Sequence, residues 1–258
     1  MGIIELERMA AMHWRASEEE WLGKWLLRAA AGFTGRANSA LPLGDPGLPL
    51  DDALAAVRRW YRARGLPPMI AVPLPLAGGE AGAEGSALHH LDNQLSERAW
   101  VTRPGPAFVM TAGLGRLPAP PELPDHAEFR VDAVPDDAWL GAYRYRGQPN
   151  RSPALRAILV SAQAQAFASI RFGAEPVAIG RLSITGAWAG ITAVEVDPQW
   201  RRMGLGRLLT LAICAEAAQR GATRVFLQVD TGNTAAANLY EHCGFAYSHR
   251  FHYRIAPT

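Results

Sequence analysis

The feature that most limits what this chain can fold into is a glycine pair in Arg201-Arg202-Met203-Gly204-Leu205-Gly206-Arg207, set between a strand-like and a helix-like stretch. Upstream, Ile191 to Val196 is rich in β-branched residues and is stopped by Pro198, which has no N–H to donate. Downstream, the apolar positions 205, 208, 209, 212 and 213 follow helical spacing, with Gly221 as C-terminal stop. Val225 to Val229 then predicts a second strand and Asn233 to Phe245 a second helix. The two glycines remove Cβ atoms that would hold a ligand off the backbone, so several N–H groups can point at one anion. Such an anion sits on a helix N-terminus, where the macrodipole favours negative charge, and Arg201, Arg202 and Arg207 add formal charge. The chemistry implied is a pyrophosphate cradle.

Three cradles compete. A dinucleotide fingerprint needs a third glycine where this chain has Leu209, and a Walker loop needs a lysine, yet the chain's one lysine is Lys24. The third candidate is Gln/Arg-x-x-Gly-x-Gly after a strand ending in Val-x-Pro. With Asn233 and the run Leu239-Tyr240-Glu241 to Gly244-Phe245 in the same order and spacing, it resembles the signature of the GCN5-related N-acetyltransferases. The resemblance spans residues 127–258. It implies an α/β (α+β) fold, a mixed central sheet flanked by helices, and acetyl-CoA as cosubstrate.

A chain of 258 residues, 49% hydrophobic and 19% charged, is long enough for two units with sizeable cores. Leu117 to Asp125 carries four prolines without periodicity and reads as a linker. Residues 1–116 and 127–258 therefore form two expected domains joined by a Pro-rich 117–126. In the first, helices are expected over 4–16, 51–64 and 88–100. Strands are expected over 69–76, as an edge broken by Pro73, and over 107–112; 77–85 reads as a loop, and the extended segments 21–30 and 35–43 would join through Gly32-Phe33-Thr34-Gly35. In the second, a strand at 129–132 precedes helices at 135–145 and 152–160 and a hairpin of 166–172 with 176–185. The element order from Asn38 to Met110 repeats from Ile191 to Ile255. With an offset of 145, Leu95 matches Tyr240, Trp100 matches Phe245 and Phe108 matches Tyr253. The first half reads as a shortened, degenerate copy of the fold, resembling the tandem layout of mycothiol synthase. Asp51 and Asp52 stand where the second half has its cradle and would repel a pyrophosphate, so coenzyme is expected only in the second half.

What the resemblance implies for the chemistry is specific. Val194, Glu195 and Val196 would pair through their backbone with the pantetheine arm, in a splay between two parallel strands. Arg201, Arg202, Met203, Gly204, Leu205, Gly206 and Arg207 would hold the pyrophosphate. Gln228, Asn233, Asn238 and Tyr240 complete the coenzyme set, with Asn233 reaching from the second strand. Tyr240 matches the tyrosine that protonates the leaving thiolate; the plainer reading of a tyrosine on an amphipathic helix is a core residue. A base glutamate is missing from its usual places: ribosomal-protein alanine acetyltransferases carry it where this chain has Gln228, and others at Gly190 or Thr192. Glu195 is the one carboxylate on the central strand, on the face of Ala193 and opposite Val194 and Val196. It takes the amine proton if that face lines the acceptor groove; otherwise it is an edge carboxylate partnered by Arg181 or Arg207.

The expected activity is acetyl transfer to a primary amine of a small molecule or peptide by direct attack in a ternary complex. A mycothiol-synthase-like acetyltransferase and a non-catalytic acyl-CoA sensor or scaffold are the alternatives. The segment 139–151 and Trp188 would choose the acceptor, with the N-terminal half as a further contributor. His242, Cys243, His249 and His252 fit no metal spacing, so no metal is expected. A net charge of +2 calls for neither nucleic acid nor membrane, and a homodimer is left open. Without a basic n-region or long apolar run at Met1, the chain reads as cytoplasmic.

Overall fold

The computed structural model describes residues 1–258 apart from 79–81, 146, 147, 150, 151, 153 and 258. Along the chain run α1 (Ile3–His13), β1 (Glu18–Leu22), β2 (Trp25–Ala29), β3 (Leu41–Pro42), α2 (Leu50–Arg62), β4 (Met69–Leu74), α3 (Gly82–Glu97) and β5 (Val101–Gly113). After a 3-10 turn at Leu114–Arg116 and a largely exposed segment come β6 (Ala127–Asp132), α4 (Asp137–Ala142), β7 (Arg144–Tyr145), β8 (Gln148–Pro149), α5 (Ala154–Leu159), β9 (Ala164–Phe172), β10 (Glu175–Thr185) and β11 (Trp188–Val196). The chain ends with α6 (Leu205–Gln219), β12 (Arg224–Asp230), α7 (Thr234–Cys243) and β13 (Ala246–Ile255).

Eight strands form one mixed sheet in the order β4-β13-β5-β12-β11-β10-β9-β6. Only β11 and β12 pair in parallel; every other neighbour is antiparallel. Both halves of the chain contribute strands to it, and they interleave. β5 lies between β12 and β13, and β13 lies between β4 and β5. The three-stranded β1-β2-β3 sheet abuts β4 through a parallel bridge from Ala40 to Ile70, which echoes the parallel β11–β12 pair.

The two halves also end their last helices alike. Trp100 N–H donates to Leu95 C=O at 3.0 Å, and Phe245 N–H donates to Tyr240 C=O at 3.0 Å. The residues between turn left-handed at Ala99 (φ 59°) and Gly244 (φ 101°). These helix stops stand 145 residues apart and tuck an aromatic ring into the core each time: Trp100 is 1% and Phe245 4% exposed.

α6 packs across β9–β11 and buries Leu205, Leu208, Leu209, Ile213 and Ala217, while α7 adds Ala237, Tyr240 and Cys243 to the same core. On the opposite face α1 packs against Trp188, Phe226 and Phe251. Cys214 and Cys243 are both buried free thiols.

Several boundaries differ from expectation. The first hairpin turns at Gly23-Lys24, because Gly23 (φ +55°) lies against the Pro46 backbone and Lys24 N–H bonds Asp45 C=O at 2.7 Å. The stretch 30–38, expected to be partly extended, instead loops around Asn38. Its Oδ1 accepts from Ala30 and Gly32 N–H and its Nδ2 donates to Phe33 and Thr34 C=O. α3 begins at Gly82, within the expected loop 77–85, of which 79–81 lie outside the described residues. β5 runs on to Val101 because β13 pairs along its whole length. α4 is short, capped by Asp136 accepting from Trp139 N–H at 2.7 Å.

Candidate active site

The parallel pairing of β11 and β12 runs from Trp188–Arg224 to Ile191–Leu227 and stops there. Beyond it β11 stays with β10 as far as Val196 and β12 stays with β5 as far as Asp230, so the two strands splay. A bulge drives the separation. Thr192 pairs with Arg181 and Glu195 with Ile179, so Ala193 and Val194 together oppose Gly180, with Ala193 left-handed at φ 55°. Gly180 permits this, since a Cβ there would meet Ile213 Cδ1 at 2.7 Å and Val194 Cγ2 at 3.7 Å.

The bulge sorts the side chains. Val194 lies on the Gly180 face toward α6, and Val196 Cγ2 lies 3.7 Å from the Cβ position of Gly206. Glu195 shares the other face with Ile179 and Arg181. Gln228 points the same way as Phe226, onto the α1 side, because Val225, Leu227 and Val229 occupy the α6–α7 core. Glu195 and Gln228 thus line one cleft of about 700 Å³, together with Arg201 and Asn233.

Burial pushes the Glu195 carboxyl up to about 7, against the pull of Arg201 and Arg144. Those are its electrostatic partners, not Arg181 or Arg207. Arg181 is fully buried and directs its donors to Leu159 C=O at 2.6 Å and His13 C=O at 3.0 Å. Burial also drives the Tyr240 hydroxyl far above its ordinary value, with Cys243 and Glu195 adding to the effect. Tyr240 is 7% exposed, packed beside Phe245 at 6.0 Å between ring centres, and stays protonated at neutral pH.

The loop before α6 winds through left-handed Arg202 (φ 67°) and Gly204 (φ 79°). α6 opens with Gly204 as cap and no side chain on its first N–H groups, unlike α7, where Asn233 accepts from Ala236 N–H at 3.2 Å. Arg202, Met203 and Gly204 are exposed there, and Arg207 is half-buried. An uncapped fifteen-residue helix behind a glycine nest, beside a strand edge that β12 has left, fits a pyrophosphate and its extended arm. Asn233 belongs to the N-cap of α7 rather than to the strand, because β12 ends at Asp230. Asn238 is exposed on α7, its carbonyl meeting the His242 ring at 2.6 Å, outside the cleft. His249 meets Glu7 at 2.8 Å and His252 meets Asp92 at 2.8 Å, each on a different neighbour.

The far wall of the cleft comes from the first half, through residues that the sequence reading did not single out. The Asn38-wrapped loop brings Thr34, Gly35 and Arg36 to it, and β5 brings Arg103. Arg36 Nη1 donates to Gln228 Oε1 at 3.0 Å and its guanidinium stacks on Trp14 at 4.5 Å. Gly35 is pressed so closely that a Cβ would lie 2.7 Å from Tyr253 and 2.9 Å from Arg103 Nη1. A sequence signal did exist, two glycines ahead of Arg36 and Asn38, but only the strand interleaving tells which site that loop serves. Of the segment expected to choose the acceptor, 146, 147, 150 and 151 lie outside the described residues. Arg144 reaches the field of Glu195, and Trp188 packs under α1 away from the cleft.

Residues 2–254 match the family model described as "Probable histone acetyltransferase Rv0428c C-terminal". The chain is 32% identical over 266 residues to the probable histone acetyltransferase Rv0428c of Mycobacterium tuberculosis, covering 100% of this chain and 75% of that protein. It is 27% identical over 256 residues to the uncharacterized N-acetyltransferase YobR of Bacillus subtilis, covering 98% of each. A mycothiol acetyltransferase of Thermobispora bispora is 53% identical, but over 55 residues, 21% of this chain and 19% of that one. Among solved structures, a GCN5-related N-acetyltransferase from Kribbella flavida superposes with a TM-score of 0.69 at 19% identity, covering 100% and 97% of the two chains. A tandem GNAT protein from the clavulanic acid biosynthesis pathway gives 0.67 at 16% identity, covering 85% and 76%. The fold is therefore the one implied by the glycine-loop motif, and no helix among the described residues is long and apolar enough to cross a membrane. The chain belongs to the Rv0428c C-terminal acetyltransferase family and is an N-acetyltransferase of the GCN5-related type.

Proposed function

We propose that this enzyme transfers an acetyl group from acetyl-CoA to a primary amine of a small molecule or peptide, by direct attack within a ternary complex. The observation that carries the reading is Glu195: a carboxylate at the mouth of the β11–β12 splay, on the cleft side, with its pKa raised to about 7. A base poised there can take a proton from an ammonium near neutral pH. The backbone of Val194–Val196 beyond the last β11–β12 pair would hold the pantetheine arm, and Arg201 to Arg207 with the bare α6 terminus would hold the pyrophosphate. When bound, the coenzyme supplies an activated thioester carbonyl.

Glu195 deprotonates the acceptor amine, directly or through water, and the neutral nitrogen attacks. Tyr240, kept protonated by burial, delivers a proton to the departing thiolate. The cleft holds the acceptor on the face opposite α6, so acceptor and coenzyme approach the splay from opposite sides. Coenzyme binding is assigned to residues 127–258 alone. In the first half the corresponding helix, α2, opens on Asp51, which Arg98 grips at 2.6 Å.

The test is thiol release from acetyl-CoA with a panel of amines, alongside calorimetric binding of acetyl-CoA. The expected result is one coenzyme per chain and amine-dependent thiol release that Tyr240→Phe lowers by about 10²-fold with binding retained. Binding without thiol release for any amine would instead support a sensor, and failure to bind would remove the reading altogether.

A further inference from the structure

We infer that the acceptor amine carries its own anionic group, a carboxylate or phosphate, and that Arg36 and Arg103 of the first half bind it. The inference rests on the reading of the cleft as the acceptor site. Three guanidiniums line that cleft: Arg36, Arg103 and Arg201. None is within ion-pair distance of a carboxylate among the described residues. Arg201 stands beside the coenzyme loop, with its Nε on Val196 C=O at 3.2 Å, and is assigned to that ligand. Arg36 and Arg103 face it from the opposite wall.

Both are half-buried, and both are held in place by uncharged neighbours. Arg36 lies over Trp14 at 4.5 Å and donates one N–H to the neutral Gln228; Arg103 lies over Tyr253 at 5.4 Å with Nη1 on Met69 Sδ at 3.6 Å. Arg181, wholly buried with its Nη2 unpartnered, adds a second positive charge close enough to repel Arg36. The acids facing the cleft, Glu195 and Asp230, form no ion pair with either arginine; Asp230 accepts instead from Gly232 N–H at 2.8 Å. These guanidiniums reach the cleft without a carboxylate at ion-pair distance, and their planar forks match a carboxylate or phosphate. The cleft thus presents a base for an ammonium and, across it, a fork for an anion on the same molecule.

The test uses the full chain and matched acceptors: free L-amino acids against their amides, and phosphoethanolamine against ethanolamine. Thiol release gives kcat/KM, and calorimetry on the CoA-bound enzyme gives affinity whether or not turnover occurs. Wild type is expected to favour one anionic class over its neutral partner at least tenfold, the two pairs telling carboxylate from phosphate. Arg36→Gln with Arg103→Gln should erase that ratio through KM, leaving acetyl-CoA affinity within twofold. Gln228→Glu, which puts a carboxylate against Arg36, should erode the preference in a chain whose salt-bridge geometry keeps the loop in place. Equal use of, and equal affinity for, both members of each pair would overturn the inference, as would a preference that survives the double variant. A parallel loss of acetyl-CoA binding in the double variant would overturn it too, by assigning the two arginines to the coenzyme. Amine-dependent thiol release without any preference would leave the acetyltransferase reading standing and remove only this one.

Discussion

Glu195 owes its place on the cleft face to a single inserted residue. Without the Ala193 bulge, strand alternation beyond Thr192 would run the other way, and residue 195 would face α6 while residue 194 faced the cleft. Desolvation then raises the carboxyl to about 7, with Arg201 and Arg144 limiting the rise. The sign for catalysis follows: below pH 7 the group is protonated and cannot accept, so kcat/KM should climb with pH and level off above an apparent pKa near 7. In Glu195→Gln that acid limb should vanish, with the rate lowered about 10²–10⁴-fold across the range. A pH–rate profile of both proteins checks it, and an unchanged limb in the variant would take Glu195 out of the chemistry. The carboxylate itself was legible in the sequence as the one acid on the central strand. Its arginine neighbours were not, because Arg144 comes from a short strand whose approach to β11 depends on how α4 packs.

At the scale of elements, the glycine loop and α6 behave as their spacing requires, yet the two glycines do different work. A Cβ at Gly204 would meet nothing within 4 Å, so its glycine serves conformation: φ is +79°. A Cβ at Gly206 would lie 2.8 Å from Leu239 Cδ1, so its glycine serves the close approach of α7 to α6. Gly204→Ala is therefore expected to cost about 1–2 kcal/mol of backbone strain and to weaken acetyl-CoA binding by reshaping the nest. Gly206→Ala should be milder in stability, since a leucine end can move, and should shift α7 and Tyr240 instead. Denaturant midpoints and calorimetric affinities for the pair check this; a Gly206→Ala protein with the larger loss of stability would reverse the assignment. Helix ends of this kind were readable because left-handed stops leave glycine or a small residue behind. The loop 30–38 was not, because its shape rests on the Asn38 side chain bonding four backbone groups, a pattern without periodicity.

For the whole molecule, the decisive fact is reciprocal strand exchange. Each half places a strand inside the other's portion of the sheet, so removing residues 1–116 would strip β12 and β13 of the partner that joins them. It would also remove Arg36, Arg103 and the whole far wall of the cleft. Residues 117–258 alone are expected to lack a cooperative thermal transition and to aggregate through the exposed β12 and β13 edges. Circular dichroism melts of the fragment against the full chain test this. A sharp two-state melt of the fragment would mean that β5 is dispensable. The first half is then more than a degenerate copy: it supplies a central strand and one side of the cleft beside Glu195 while its own helix terminus holds the Asp51–Arg98 pair.

The sequence by itself determined the elements whose causes are local. β-branched runs, apolar spacing, a proline stop and two glycines specify strand, loop, helix, strand, helix around Ala189–Phe245, and with them the family. Tertiary structure decided what depends on residues far apart in the chain. Which strand lies beside β12 and where the cleft beside Glu195 has its second wall follow from pairing between β5 and β13, separated by about 130 residues of chain. Hydrophobic alternation records that a strand has a buried face, but not which neighbour completes its hydrogen bonds, and the cleft beside Glu195 is built from those neighbours.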